Sequence, residues 1–253
     1  MARKRSVNKT EDKSPKVYQR DKINKNLTII ERSDLTKKQT EFLKIALDKK
    51  TQIMFIRGPA GTSKTFLSVL AALELLNVRK VSELLYIRSI VESASRTLGS
   101  LPGEIDDKFK PFIMPLMDKL EELLPAGDIR YLQNDNRIRA IPINFLRGSN
   151  LNAQVIVADE AQNFDRKELT TLITRMGKFS KMYICGDPMQ SDINGKSGFN
   201  TFYNIFNDKE SQDNGVYCFE FFKEDIVRSG IVQYIIEKLE DNVRKESMFP
   251  HYK

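Results

Sequence analysis

Histidine is almost missing from this chain: the single one, His251, lies close to the C-terminus. Only two cysteines occur, Cys185 and Cys218, each inside an apolar stretch. Two isolated thiols cannot form a disulfide framework and read as small buried hydrophobes. One His and two separated Cys also exclude a zinc site of nitrogen and sulfur ligands, and with it Ser-His or Cys-His nucleophile chemistry. No apolar run approaches the roughly 20 residues of a membrane-spanning helix. The N-terminus, charged from Arg3 to Arg5, lacks the apolar stretch of a secretory signal. The cytoplasm is therefore the expected location, and no membrane partner is expected.

What is present suits a globular protein: 253 residues, 40% hydrophobic, with a net charge of +7. That length fits one domain with appendages. The charge is concentrated at one end, since residues 1–26 hold nine Lys/Arg against three Asp/Glu. The reading is a flexible basic tail over 1–26, a folded body over 27–243 and a short C-terminal tail over 244–253. A loose cationic tail either attracts polyanions without reading their sequence or is a solvated leader. The body is nearly neutral, and no run interleaving basic and aromatic residues stands out in it.

Along the body, helical and strand-like patterns alternate. Helices are expected over 36–49, 66–77, 167–175 and 230–239, and strands over 52–57, 83–88, 154–158, 181–185 and 216–221. Over 106–124 a helical pattern is expected to break at Pro111 and Pro115. The alternation predicts the α/β class, with a parallel sheet covered by helices on both faces and right-handed crossovers.

The sharpest local signal is Gly58-Pro59-Ala60-Gly61-Thr62-Ser63-Lys64-Thr65, placed between an expected strand and an expected helix. Glycines let the backbone curl so that several N–H groups converge on a phosphate, and the following helix adds its positive dipole end. Lys64 would supply a point charge, and the Thr65 hydroxyl would enter the shell of a magnesium ion. Ser63 stands where the phosphate-loop pattern has its second glycine. It fits if its dihedrals are ordinary, and costs about 1 kcal/mol if a positive φ is required.

Further on, four apolar residues deliver Asp159 and Glu160 at the end of an expected strand, the edge where ligands bind in open parallel sheets. Asp159 would hold magnesium, directly or through water, and Glu160 would deprotonate an attacking water. A third apolar strand ends in Gly186-Asp187-Pro188-Met189-Gln190, where Gln190 would sense a terminal phosphate.

These motifs in this order resemble the PhoH-like family, whose RecA-type ATPase core is related to superfamily 1 helicases. The resemblance extends to Arg88-Ser89-Ile90-Val91-Glu92 followed by Leu98 to Gly103, to Phe145 through Leu151, to Leu172 through Gly177, and to Asp225-Ile226-Val227-Arg228. It spans roughly residues 30–240 and is to a short, phage-type member without an appended nuclease domain, which would place the protein in a host cytoplasm. The resemblance implies a RecA-like P-loop core using ATP and Mg²⁺. It also implies that Gln39, upstream of the loop, reads adenine through its amide, the alternative being an ordinary helical Gln. Arg228, or else Arg175, is the expected arginine facing the transferred phosphoryl group. Arg88, Arg96 and Arg147 are candidates to face a nucleic-acid strand or another subunit.

Superfamily 1 enzymes place ATP between two such cores, whereas one core is expected here. A homo-oligomer, a ring or another head-to-tail assembly, would then complete the site. The leading functional expectation is an ATPase acting on RNA or single-stranded DNA as a helicase or translocase. Its rivals are a ring ATPase that remodels protein, a non-catalytic nucleotide-gated binding module and, least supported, a small-molecule kinase.

Overall fold

The apolar runs come together as one six-stranded sheet in a computed structural model that describes residues 21–89, 105–146, 150–193 and 195–227, and positions 230, 231, 234 and 238. The strands are β1 (Ile53–Arg57), β2 (Glu83–Arg88), β3 (Ile138–Pro142), β4 (Gln154–Ala158), β5 (Lys181–Gly186) and β6 (Val216–Glu220). Their order across the sheet is β3-β2-β4-β5-β1-β6, and every neighbouring pair is parallel. The α/β expectation holds.

Helix α1 (Lys37–Leu47) precedes β1; parallel neighbours need crossovers, and these carry α2 (Lys64–Asn77), α3 (Ile105–Leu123), α4 (Ala126–Asn134), α5 (Arg166–Thr174), α6 (Phe199–Phe206) and α7 (Lys209–Asp213). Side chains alternate between the two sheet faces, and each face has its own core. Met54, Ile56, Tyr86, Val155 and Tyr183 pack beneath α1 to α4. Ile53, Phe55, Leu85, Ile156 and Ile184 pack against α5 and α6. Because both faces are covered, the strands read as continuous apolar runs, not as alternating ones.

Three differences from the sequence reading have physical causes. Pro111 and Pro115 do not break α3, which runs unbroken from Ile105 to Leu123. Each interior proline costs about 3 kcal/mol, but Leu116, Leu120 and Leu123 are buried in the core, each contributing roughly 1.5–3 kcal/mol. β3 was not expected. It is an edge strand paired only with β2, which tolerates Pro142 at its end. Finally, the packed body starts inside the stretch read as tail. Ile23 is buried in the core, Lys25 pairs with Asp128, and the Leu27 amide donates to Asn77 Oδ1 at 2.7 Å. Of the closing helix expected over 230–239, the described positions 230, 231, 234 and 238 are helical.

Candidate active site

The strand order explains why three motifs far apart in sequence converge. β4, β5 and β1 are consecutive neighbours, so their C-terminal ends bring Asp159-Glu160, Asp187–Gln190 and the Gly58–Thr65 loop to one edge of the sheet. A cleft of about 440 Å³ opens there, lined among others by Gln39, Ala60, Gly61, Ser63, Lys64, Thr65, Asp159, Glu160 and Gln190.

The loop between β1 and α2 is held from several sides. Gly58 has no room for a side chain, since a Cβ would stand 2.8 Å from the Cβ and carbonyl oxygen of Phe221. Gly61 adopts φ 84, which glycine accepts without steric cost. Beneath the loop, the buried Thr62 hydroxyl donates to the Pro59 carbonyl at 2.9 Å. Lys64 Nζ arches back to the carbonyls of Gly58 and Pro59 at 2.7 and 2.8 Å. Burial lowers the Lys64 pKa from its ordinary value, opposed by the negative charges of Asp187, Asp159 and Glu160. Ser63, as N-cap of α2, has φ 63 and ψ 22. The left-handed conformation that the sequence left open is therefore required, and Ser63 bears its strain.

Asp159 is nearly buried and engaged on both oxygens. The Thr65 hydroxyl donates to Oδ1 at 2.7 Å, and the Tyr86 phenol donates to Oδ2 at 2.5 Å. Thr65 and Asp159 thus present two hard oxygens side by side, the donor type that magnesium takes together with water and phosphate. The residues fit such an ion. Among the described residues no group of three or more His, Cys, Asp or Glu forms an all-protein metal cage.

Glu160 also sits in the left-handed region, at φ 53 and ψ 39. A non-glycine residue in that region is a local strain of the kind that gathers at functional sites. Its carboxylate accepts from Gln162 Nε2 at 2.5 Å and lies 3.7 Å from the Arg88 guanidinium. Gln162 is buried, and its Oε1 accepts the Asp187 amide at 3.0 Å. One amide side chain therefore joins Glu160 to the loop that carries Gln190. Ser191 donates to the Gln162 carbonyl, and Asn163 and Asp192 exchange two bonds, fixing the same two segments together.

Gln39 lies at the other end of the cleft and is nearly buried. Its Oε1 accepts the Thr36 amide at 3.0 Å, closing a capping box at the start of α1. That oxygen keeps a second lone pair. Close by, the Arg32 guanidinium lies over the Phe66 ring, 4.9 Å from its centroid, and both border the cleft.

The structure thus gathers most of the expected residues. Gly58, Pro59 and Thr62 shape the loop without lining the cleft, and Arg175 is a half-buried residue at the C-terminal end of α5, away from it. Arg228 and Arg96 lie outside the described residues, as do Arg147 and the 98–103 segment. Sequence reasoning missed Tyr86 and the bridging role of Gln162. Tyr86 shares a sheet face with Leu84 inside an apolar run, and only the adjacency of β2 to β4 shows what its hydroxyl meets.

Comparison with known proteins agrees with this geometry. The family described as PhoH-like protein matches residues 32–240. The chain is 34% identical over 217 residues to the PhoH-like protein of Synechocystis sp., an alignment covering 85% of this chain and 63% of that protein. It is 33% identical over 193 residues to the PhoH-like protein of Bacillus subtilis, covering 76% and 60%. To Protein PhoH of Escherichia coli it is 31% identical over 197 residues, covering 77% and 54%. The chain spans between about half and two thirds of the length of these relatives. With a parallel sheet, a glycine-bearing loop and an acidic pair on adjacent strand ends, and a family match over most of its length, the chain belongs to the PhoH-like protein family.

Proposed function

We propose that this protein hydrolyses ATP with Mg²⁺ and that RNA or single-stranded DNA stimulates the reaction. One observation carries the hydrolytic part: Thr65 and Asp159 touch at 2.7 Å while Lys64 and Glu160 border the same cleft. A protein that only binds nucleotide has no use for a second, strained carboxylate beside the first.

In this reading the loop amides and the first turn of α2 hold the phosphates, and Lys64 exchanges its carbonyl partners for phosphate oxygens. Magnesium would supply neutralisation of charge on the phosphates, with Thr65 and Asp159 holding it. Glu160 takes the proton of the attacking water while Gln162 and Arg88 orient its carboxylate. Gln190 registers the loss of the terminal phosphate, and Gln162 relays its movement to Glu160. Gln39 pairs with the adenine edge.

The proposal includes a homo-oligomer, ring-shaped if the contacts close. A neighbour's arginine would then meet the developing charge on the phosphoryl group. Arg228 is the first candidate. Arg175, remote from its own chain's cleft, fits only a role in the neighbour's site. Support for the nucleic-acid track is the family relationship and the basic stretch at residues 1–26; a helicase or translocase is the corresponding motor. The cytoplasm remains the proposed location, and among the described residues no helix is long and apolar enough to cross a membrane.

The test is ATP hydrolysis with Mg²⁺, with and without single-stranded RNA and DNA, beside Glu160→Gln. Turnover that rises with one polymer and falls on the order of 10²–10⁴-fold in the variant supports the reading. Turnover indifferent to both polymers shifts it to remodelling of a protein partner. Turnover no higher than the variant's leaves a nucleotide-gated binding module.

A further inference from the structure

At the opposite end of the sheet from the nucleotide cleft lies a second cavity, of about 400 Å³. It opens where β1 and β5 begin and α2 ends. Lys49, Lys80, Lys178 and Lys181 line it, and among the described residues no carboxylate does. Lys49, Lys80 and Lys178 are exposed. The Asp48 carboxylate, which accepts the Lys50 amide at 2.8 Å, acts on Lys181 among these lysines. The Lys181 ammonium is engaged by the Ala46 and Asp48 carbonyls, which leaves the three exposed lysines to raise the local concentration of an anion.

The cavity also carries an aromatic presented to solvent. Phe179 is 67% exposed and has φ 60, a conformation that a bulky residue adopts only when its surroundings impose it. Here they do. Gly177 donates to the Leu151 carbonyl and Lys178 to Asn152 Oδ1, while Ala153 donates back to Lys178 and the Ser180 hydroxyl bonds to Leu151. The residues on either side of Phe179 are thus fixed to the Leu151–Ala153 segment, and the ring is held outward. A flexible loop would bury such a ring instead. Thr51, in the cavity wall, is fully buried, and among the described residues its Oγ1 has no hydrogen-bond partner. A buried hydroxyl without a partner is uncommon and calls for an explanation.

We propose that this cavity binds a single-stranded nucleic acid, with its backbone phosphates on the lysines and a base stacked on Phe179. Cationic grooves with an exposed ring are how proteins hold single strands without reading sequence, because every base offers a π-face. The lysines come from three chain segments, around Lys49, Lys80 and Lys178–Lys181, so the short run Lys178-Phe179-Ser180-Lys181 carries only part of the site in the sequence. The inference rests on the nucleic-acid part of the function proposed above and deepens it by naming the contact surface. It also supplies a physical link. Strand β1 (Ile53–Arg57) follows the cavity-lining Thr51-Gln52 directly and leads into the loop that starts at Gly58, a span of roughly 17 Å for five residues.

The test is fluorescence anisotropy with labelled single-stranded oligouridylate and oligothymidylate on the full chain, over a range of salt. Phe179→Ala is expected to weaken binding roughly 5- to 150-fold, the effect of one lost stack. Lys80→Glu with Lys178→Glu is expected to weaken it further and to lower the salt slope by about 1.4, for two lost phosphate contacts. Both variants should bind a fluorescent ATP analogue as the parent does and keep unstimulated turnover, showing that the fold and the nucleotide cleft are intact. Strand affinity unchanged in both variants, or lost only when residues 1–20 are removed, overturns the site while leaving nucleic-acid stimulation standing. Loss in the lysine variant with no effect of Phe179→Ala, and displacement by inorganic pyrophosphate, would make this a simple anion site and overturn the stacked strand. A parent protein that binds no strand at all overturns this inference and the proposed nucleic-acid dependence together.

Discussion

Arg88 and Glu160 face each other across the ends of two adjacent strands, with the guanidinium 3.7 Å from Glu160 Oε1. Both groups are partly exposed, so the pair adds little stability; its consequence is for the direction in which the carboxylate points. Glu160 is fixed by Arg88 on one oxygen and by Gln162 on the other. Removing one of two holders should loosen the base without deleting it. Arg88→Ala is expected to lower kcat about 3- to 10-fold, well short of the 10²–10⁴-fold expected for Glu160→Gln. Equal losses in the two variants, measured side by side at saturating ATP, would mean that Arg88 acts on the phosphoryl group itself.

Tyr86 makes a second prediction, because its phenol is the only described donor to Asp159 Oδ2. Groups that orient a metal ligand typically change metal affinity 10- to 100-fold when removed. In Tyr86→Phe the concentration of Mg²⁺ giving half-maximal hydrolysis should rise by that factor, with turnover recovered at saturation. A Mg²⁺ titration that superimposes on the parent's would show that Thr65 alone orients Asp159.

How much of this was legible in the sequence differs from element to element. β1, β2, β4 and β5 were readable to within about a residue, because strands buried on both faces are continuous apolar runs. That the loop, Asp159-Glu160 and Gln190 lie at strand ends was readable because each follows an apolar run. Strand order was not readable, since pairing is a long-range property. The Tyr86–Asp159 bond and the arrangement of Arg88 with Glu160, both consequences of β2 lying beside β4, stayed hidden for that reason. The lysine cavity was hidden for the same reason. α3 was misread at its prolines because a local rule was outweighed by burial of Leu116, Leu120 and Leu123.

Ser63 turns a local rule into a measurable quantity. Its left-handed φ costs a side-chain-bearing residue about 1 kcal/mol or slightly more, whereas glycine is free of that strain but loses about 0.5–1 kcal/mol more chain entropy on folding. Ser63→Gly should therefore be neutral to stabilising by up to about 0.5 kcal/mol, a rise of no more than roughly 1–2 °C in Tm for a chain of this size. Ser63→Val, β-branched and sterically worse in that region, should lower Tm. Thermal unfolding of the three proteins should rank them glycine, serine, valine; a valine variant as stable as the parent would contradict the strain.

Lys181 contributes to the pH dependence of stability on the alkaline side. Burial pushes its pKa down from 10.5 to about 8, and the negative charge of Asp48 only partly opposes that. Between those two values the unfolded chain holds the proton and the folded chain has released it. Stability then rises with pH wherever the unfolded state binds more protons. The charged ammonium is thus a penalty on folding below about pH 8, relieved progressively up to about pH 10.5. The Lys181 ammonium also donates to the carbonyls of Ala46 and Asp48, and it is only partly buried, so solvent moderates the effect. In Lys181→Met the charge and its titration are both absent. The Tm of the parent minus that of the variant should therefore increase from pH 8 to pH 10, whichever protein is the more stable at pH 7. A difference that stays constant over that range would mean that the amine keeps its ordinary pKa in the folded chain.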